Sequence, residues 1–121
     1  MSIQPCLNFQ GRCEEAVEFY RRAIGAEVTM LHRQPDRVMR ASLRVGGTTI
    51  TAIDGDCTGR PSFDGFALSI TAPDGAGAGR IFAALGDGGR VRMARPDEPF
   101  RDSFGVVVDR FGVSWVVSVA A

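Results

Sequence analysis

The sequence predicts an α+β protein built from one βαβββ unit used twice. A strong amphipathic helix signal follows a short apolar run near the N-terminus, and a weaker copy of the same order begins near residue 66. Each copy ends in a glycine-turned hairpin rich in β-branched residues. Strand-then-helix order combined with antiparallel hairpins puts helix on one side of each sheet.

The apolar run at residues 3–9, bounded by Gly11, reads as the first strand. Cys13, Val17, Tyr20 and Ile24, filled in by Ala16 and Ala23, then recur at helical spacing as one stripe. Glu14, Glu15 and Glu18 precede Arg21 and Arg22, which complements the helix dipole and sets Glu18 to reach Arg22 at i,i+4. Gly25 supplies a left-handed cap. Strand character returns at residues 27–32, and Gln34-Pro35-Asp36 is a turn. The next strand is expected to put Met39, Ala41, Leu43 and Val45 on one face and Arg40, Ser42 and Arg44 on the other. Gly46-Gly47 turns it into a strand at 48–53, followed by a polar connection at 54–64. Asp54 and Asp56 look like a paired carboxylate, but in a glycine-rich turn such residues serve turn formation.

In the second half, residues 66–71 read as a strand, and Asp74 caps a helix whose apolar face is Ala78, Ile81, Phe82 and Leu85. Gly75, Gly77 and Gly79 each weaken that helix by about 1 kcal/mol where they lie within it. A short strand at 91–94 and a charged loop at 95–103 lead to the closing hairpin. There two valine-rich runs flank Asp109-Arg110 and Gly112. Period-two counting sets Trp115 and Val117 against the helix and leaves Ser114, Val116 and Ser118 on the opposite face. The chain reads as one domain, with module 1 at about residues 1–54, a linker at 55–64 and module 2 at 65–121.

With 14 basic and 14 acidic residues the net charge is zero, so no broad field draws in nucleic acid or anionic membrane. No basic segment leads into an apolar one at the N-terminus, and the longest apolar run is far shorter than a membrane span, so a soluble cytoplasmic protein is expected. Cys6, Cys13 and Cys57 are an odd set without Cys-x-x-Cys spacing, which predicts reduced thiols rather than a disulfide framework or structural zinc. Cys6 and Cys13 are expected as small buried apolar groups. The run Gly75-Ala76-Gly77-Ala78-Gly79 lacks the G-x-G-x-x-G register, so no dinucleotide site is expected.

Gly11-Arg12-Cys13-Glu14-Glu15-Ala16-Val17-Glu18-Phe19-Tyr20, Ile24-Gly25-Ala26-Glu27-Val28, Leu43-Arg44-Val45-Gly46-Gly47 and Asp109-Arg110-Phe111-Gly112-Val113-Ser114-Trp115 occur in this order. In these motifs the chain resembles the PhnB-like branch of the vicinal oxygen chelate superfamily, which includes glyoxalase I, ring-cleaving dioxygenases, fosfomycin-resistance enzymes and bleomycin-binding proteins. The resemblance implies paired βαβββ modules forming a cupped mixed sheet with helices on the outer face, a ligand cavity inside, and commonly a homodimer. Metal-dependent relatives hold a cation with His and Glu from four strands. The matching positions here are Pro5, Thr51, Gly65 and Val116, and neighbouring Cys6, Ala52, Phe66 and Val117 do not restore such a set. No catalytic metal and no cofactor is therefore expected.

The resemblance implies a cup lined by Leu7, Phe9, Thr49, Thr51, Ala67, Ser69, Ser114, Val116 and Ser118. Arg40 could fork onto an anionic ligand there, or be a solvated strand arginine. Phe100 and Asp102 occupy the family's aromatic-and-acid segment, on a loop that either lines the pocket or merely connects. His32, the single histidine, has no evident partner for base catalysis and reads as a surface or core residue. The expectation is a small-molecule-binding protein without the usual metal. The alternatives are an enzyme of glyoxalase, dioxygenase, epimerase or thiol-transferase type, and an interaction module.

Overall fold

In the computed structural model, which describes residues 1–35, 37–55, 60–93 and 104–120, the chain divides into two units, Met1–Pro61 and Ser62–Ala121. The first contains β1 (Cys6–Asn8), α1 (Cys13–Ile24), β2 (Glu27–Gln34), β3 (Arg37–Val45) and β4 (Thr48–Ile53). The second contains β5 (Ala67–Ala72), α2 (Gly75–Gly86), β6 (Arg90–Met93), β7 (Phe104–Val108) and β8 (Ser114–Val119). Both are βαβββ, and their sheets share one strand order, β1-β4-β3-β2 and β5-β8-β7-β6. In each, the opening strand runs parallel to the closing one and the remaining pairs are antiparallel. The repeated α+β plan read from the sequence is therefore the observed one. No described helix is long and apolar enough to cross a membrane.

In the first unit α1 buries Cys13, Ala16, Val17, Phe19 and Tyr20 over Ala41, Leu43 and Ala52 of β3 and β4. The Tyr20 ring lies 6.0 Å from Phe9 and 5.4 Å from Phe19. Full burial of each such ring contributes about 1.5–3 kcal/mol. Gly25 ends the helix at φ 67°, the left-handed cap that glycine adopts without strain. The expected Glu18–Arg22 pair is not the one formed. Glu18 binds Arg21 at 2.7 Å, one residue earlier on the same face, and Arg22 Nε donates to the Glu18 carbonyl at 3.4 Å.

The start of α1 has a non-local origin. Arg12 stands at the N-cap position without a side-chain cap. Asp54, just past the end of β4, supplies one: its Oδ1 accepts the amides of Gly11 at 2.8 Å and Cys13 at 2.9 Å. Asp54 is 6% exposed, so it is a buried tie between strand and helix, not part of a solvated turn.

A second departure lies in β3. His32 pairs with Arg40 but Arg33 pairs with Val38, leaving Met39 as the extra residue of a β-bulge. The strand is re-phased there. Val38, 2% exposed, joins Ala41 and Leu43 in the core while Met39 is only half-buried, so the expectation that Met39 shares the face of Ala41 is corrected.

In the second unit Asp74 caps α2 as expected, its Oδ1 accepting the Gly77 amide at 2.6 Å. Gly75, Gly77 and Gly79 all fall inside the helix, which is held by its buried Ala78 and Leu85 against β5, β7 and β8. The Phe82 ring lies against Gly105 of β7, where any Cβ would clash with it. On β8 the burial alternates: Trp115 and Val117 are enclosed, Ser114, Val116 and Ser118 half-exposed. The β7–β8 turn is built on Asp109, 2% exposed. Its Oδ1 accepts the amides of Phe111 at 2.9 Å and Val113 at 3.1 Å, and its Oδ2 accepts Trp115 Nε1 at 2.9 Å.

Two stability predictions follow from these carboxylates. Asp54→Ala strands one buried and one part-buried amide and should cost about 2–3 kcal/mol in urea unfolding, whereas Asp54→Asn, which keeps Oδ1, should lose less than half as much. Equal losses would show that capping is not the role of this side chain. Asp109→Asn points an N–H at the indole N–H. Adding Trp115→Phe removes that clash, so the double variant should lose about 1 kcal/mol less than the sum of the two single losses.

Candidate functional site

Directly paired residues in a sheet share a face, so the registers define what each sheet presents away from its helix. On the first sheet one row is His32–Arg40–Ile53–Asn8 and the next is Met30–Ser42–Thr51–Cys6. A third, Glu27–Arg44–Thr49, closes on an ion pair between Arg44 and Glu27 at 2.7 Å. On the second sheet the helix-free face carries Ala67, Ser114, Val108 and Arg90 in one row, and Ser69, Val116 and Val106 in the next. Thr71 and Ser118 follow, with hydroxyls 3.4 Å apart.

Several expected site residues are assembled on these faces. Thr49, Thr51 and Arg40 lie together on the first, and Ala67, Ser69, Ser114, Val116 and Ser118 lie together on the second. Leu7 and Phe9 do not join Thr51. Leu7 pairs with Ala52 and is 3% exposed, while Phe9 is fully buried against Tyr20. Both belong to the helix-side core, because the parallel β1–β4 register sets Cys6, not Leu7, beside Thr51. Cys6 is accordingly exposed, against the expectation that it is a buried apolar group. Phe100 and Asp102 lie outside the described residues, as do Asp56 and Cys57.

The first face has an unusual polar inventory. Arg12, Arg21, Arg33 and Arg44 each meet a carboxylate, and Arg22 meets a carbonyl. Among the described residues the Arg40 side chain has no hydrogen-bond or ion-pair partner, and neither does that of His32 across the ladder from it. Thr51 is 7% exposed, and its hydroxyl has no hydrogen-bond partner among the described residues. Asn8, by contrast, is occupied, its Oδ1 accepting the amides of Gln10 and Gly55, each at 2.9 Å.

The donor set does not suit a divalent metal. Thr51 is flanked by Ser42 and Cys6, and Val116 by Ser69 and Val106. Among the described residues no three His, Cys, Asp or Glu side chains converge. A catalytic site for zinc or manganese needs several converging imidazole or carboxylate ligands, and the described residues of these faces offer only His32 and Glu27, in separate rows. Cys13 cannot substitute as a nucleophile. Burial, then the nearby carboxylates of Asp54 and Glu14, push its thiol from 9.0 up to about 12, so it stays protonated.

A groove of about 580 Å³ lies on the other side of the first sheet, between α1 and β2. Val17, Leu31 and Val38 line its apolar part, and the rim charges are already matched, Arg33 with Glu14 at 3.2 Å and Arg21 with Glu18. None of the residues expected at the site line it.

Twin βαβββ units, each with a helix-free face carrying small polar side chains, are the architecture of the vicinal oxygen chelate superfamily. A family model described as 3-demethylubiquinone-9 3-methyltransferase matches residues 1–118. Protein PA1353 from Pseudomonas aeruginosa is 32% identical, with 98% of this chain and 97% of that one covered at a TM-score of 0.82. A putative 3-demethylubiquinone-9 3-methyltransferase, PhnB protein, from Bacillus cereus is 26% identical, covering 99% and 100% at 0.83. The fosfomycin resistance protein FosX from Listeria monocytogenes, complexed with Mn(II) and sulfate ion, is 10% identical over 100% and 90% of the chains at 0.70, a likeness of fold. The chain belongs to the PhnB-like 3-demethylubiquinone-9 3-methyltransferase family.

Thiol chemistry offers a direct check on this geometry. Iodoacetamide at pH 8 should label Cys6 rapidly and Cys13 only on unfolding, as read by peptide mass mapping. Because the Cys13 thiol is raised in the folded state, its contribution to stability is intact below pH 9 and lost as pH climbs towards about 12. Between pH 9 and 11 the wild type should lose more stability than Cys13→Ala does.

Proposed function

We propose that this protein binds a small organic molecule on the helix-free sheet faces, without the metal used by catalytic members of its superfamily. Thr51 carries the reading. A hydroxyl enclosed on the face opposite the helix, with no described partner, is costly unless something else satisfies it. Beside it on the same face Ser42, Cys6 and Met30 give the mix of apolar surface and few polar groups that suits a small organic ligand, and the open face of the second sheet, with Ser69, Ser114 and Val116, carries a similar mix of its own. The cytoplasmic location belongs to the same proposal on the sequence pattern alone, and the homodimer belongs to it and rests on the family resemblance. Phe100 and Asp102 remain part of the proposed ligand set on that ground alone.

An enzyme of the same superfamily is the second reading, favoured by the family description, which names a methyltransferase. Metal analysis and turnover assays separate the two. Stoichiometric Zn, Ni, Mn or Fe in purified protein, or turnover of a library compound, would overturn the binding-only reading.

The direct test is thermal stabilisation of metal-free protein across a library of aromatic and anionic compounds, phenols included. Saturable stabilisation by at least one compound is expected, and Thr51→Val should weaken it by about tenfold while leaving the unliganded protein as stable as before. No saturable shift from any compound sinks the proposal.

A further inference from the structure

Five of the arginines in the first unit, Arg12, Arg21, Arg22, Arg33 and Arg44, are engaged by a carboxylate or carbonyl, Arg44 by Glu27 in its own row of the open face. Arg40 is different. It is exposed on the helix-free face, its side chain has no hydrogen-bond or ion-pair partner among the described residues, and the residue paired with it across the β2–β3 ladder is His32, whose side chain likewise has none among them. Paired residues in an antiparallel ladder have Cβ atoms about 4.5–5.5 Å apart, so a guanidinium and an imidazole can converge on one group.

The bulge at Met39 makes this juxtaposition. In an unbulged ladder Met39 would pair with His32, and Arg40, two residues from the buried Val38, would share its core face. The Met39 carbonyl accepts the Asp54 amide at 2.9 Å, which ties the bulge to the residue that caps α1. The displacement of Arg40 onto the open face is thus anchored by the core.

Next to the pair lie Ile53 on one side and, in the following row, Met30, 40% exposed, with Ser42 and Thr51. We infer that Arg40 and His32 form the head-group subsite for an organic oxyanion, whose apolar body lies over Met30 and Ile53 and whose polar substituents meet Ser42 and Thr51. This rests on the small-molecule reading above and names the ligand's chemical class. The guanidinium presents two parallel N–H donors that match the two oxygens of a carboxylate or two of a phosphate, and the imidazole N–H supplies a third donor from the facing strand. No carboxylate shares either of these two rows, so within them no described acid competes for the donors of Arg40 and His32.

The experiment uses the whole chain, labelled with ¹⁵N, titrated separately with benzoate and benzamide, which share a ring and differ in charge, and with inorganic phosphate. Benzoate should shift the Arg40, Ser42 and Thr51 amides with at least tenfold higher affinity than benzamide. Arg40→Ala should erase that preference, Arg40→Lys should retain part of it by charge without the fork, and His32→Leu should reduce it several-fold. Phosphate should move Arg40 and His32 but not Met30. Equal affinity for benzoate and benzamide overturns the oxyanion assignment and leaves the small-molecule reading standing. If the charged probe prefers the Arg80, Arg90 or Arg92 region instead, the assignment to Arg40 fails. Absence of any shift on this face with all three probes removes both readings.

Discussion

One carboxylate oxygen organises the first unit. Oδ1 of Asp54 accepts two amides at the head of α1, although Asp54 itself follows β4, 41 residues further along the chain than Cys13. Helix α1 has a strong apolar stripe and an acidic-to-basic gradient, but neither fixes where it begins or how it is aimed at the sheet. The buried acceptor does, because an unpaired amide in that position would cost as much as the cap contributes. The same residue donates its own amide to Met39, the bulged residue of β3. Helix start, sheet end and bulge are therefore parts of a single hydrogen-bonded junction, and the face that Arg40 occupies is a result of it.

The second unit solves its equivalent problem differently. Asp74 caps α2 from the adjacent residue, and the buried carboxylate is spent instead on the β7–β8 turn, where Asp109 satisfies two turn amides and the indole of Trp115. A strand face that displays Ser114 and Val116 on one side and Trp115 on the other is held in phase by that anchor. The two sheets share a topology without sharing the contacts that fix their registers.

Much of this was legible in the sequence because it is local. Helical spacing located α1 and α2, glycine pairs located the hairpins, and alternation sorted Trp115 from Ser114 without reference to any other element. What could not be read there is what depends on register between distant strands. Leu7 and Phe9 were assigned to the open face by family likeness, yet β1 pairs with β4 in parallel across more than forty residues, and no turn between them sets the phase. The Met39 bulge inverts alternation in mid-strand and leaves no compositional mark. Asp54 followed a strand in a stretch rich in glycine and so resembled a turn residue. A lone acid just beyond a strand, in a chain whose first helix lacks a Ser, Thr, Asp or Asn at its start, is the signal that could have pointed to it. On the candidate site, Thr51 and Arg40 were readable by alternation, while His32 became part of it only once the ladder placed it opposite Arg40.

The two helices also differ in when they can be completed as the chain emerges during synthesis. Helix α2 carries its acceptor at its own first turn, so its cap can close as soon as Gly77 is available. Helix α1 must wait until the strands β2, β3 and β4 have been made, since its acceptor is Asp54. Until then its head is open and fraying is expected, since the first amides of a helix have no partners within it. Closing that contact requires a loop of about forty residues to be brought together, a cost that grows slowly with length but must be met before the contact forms. The head of α1 therefore closes only once β4 and the residue after it are in place.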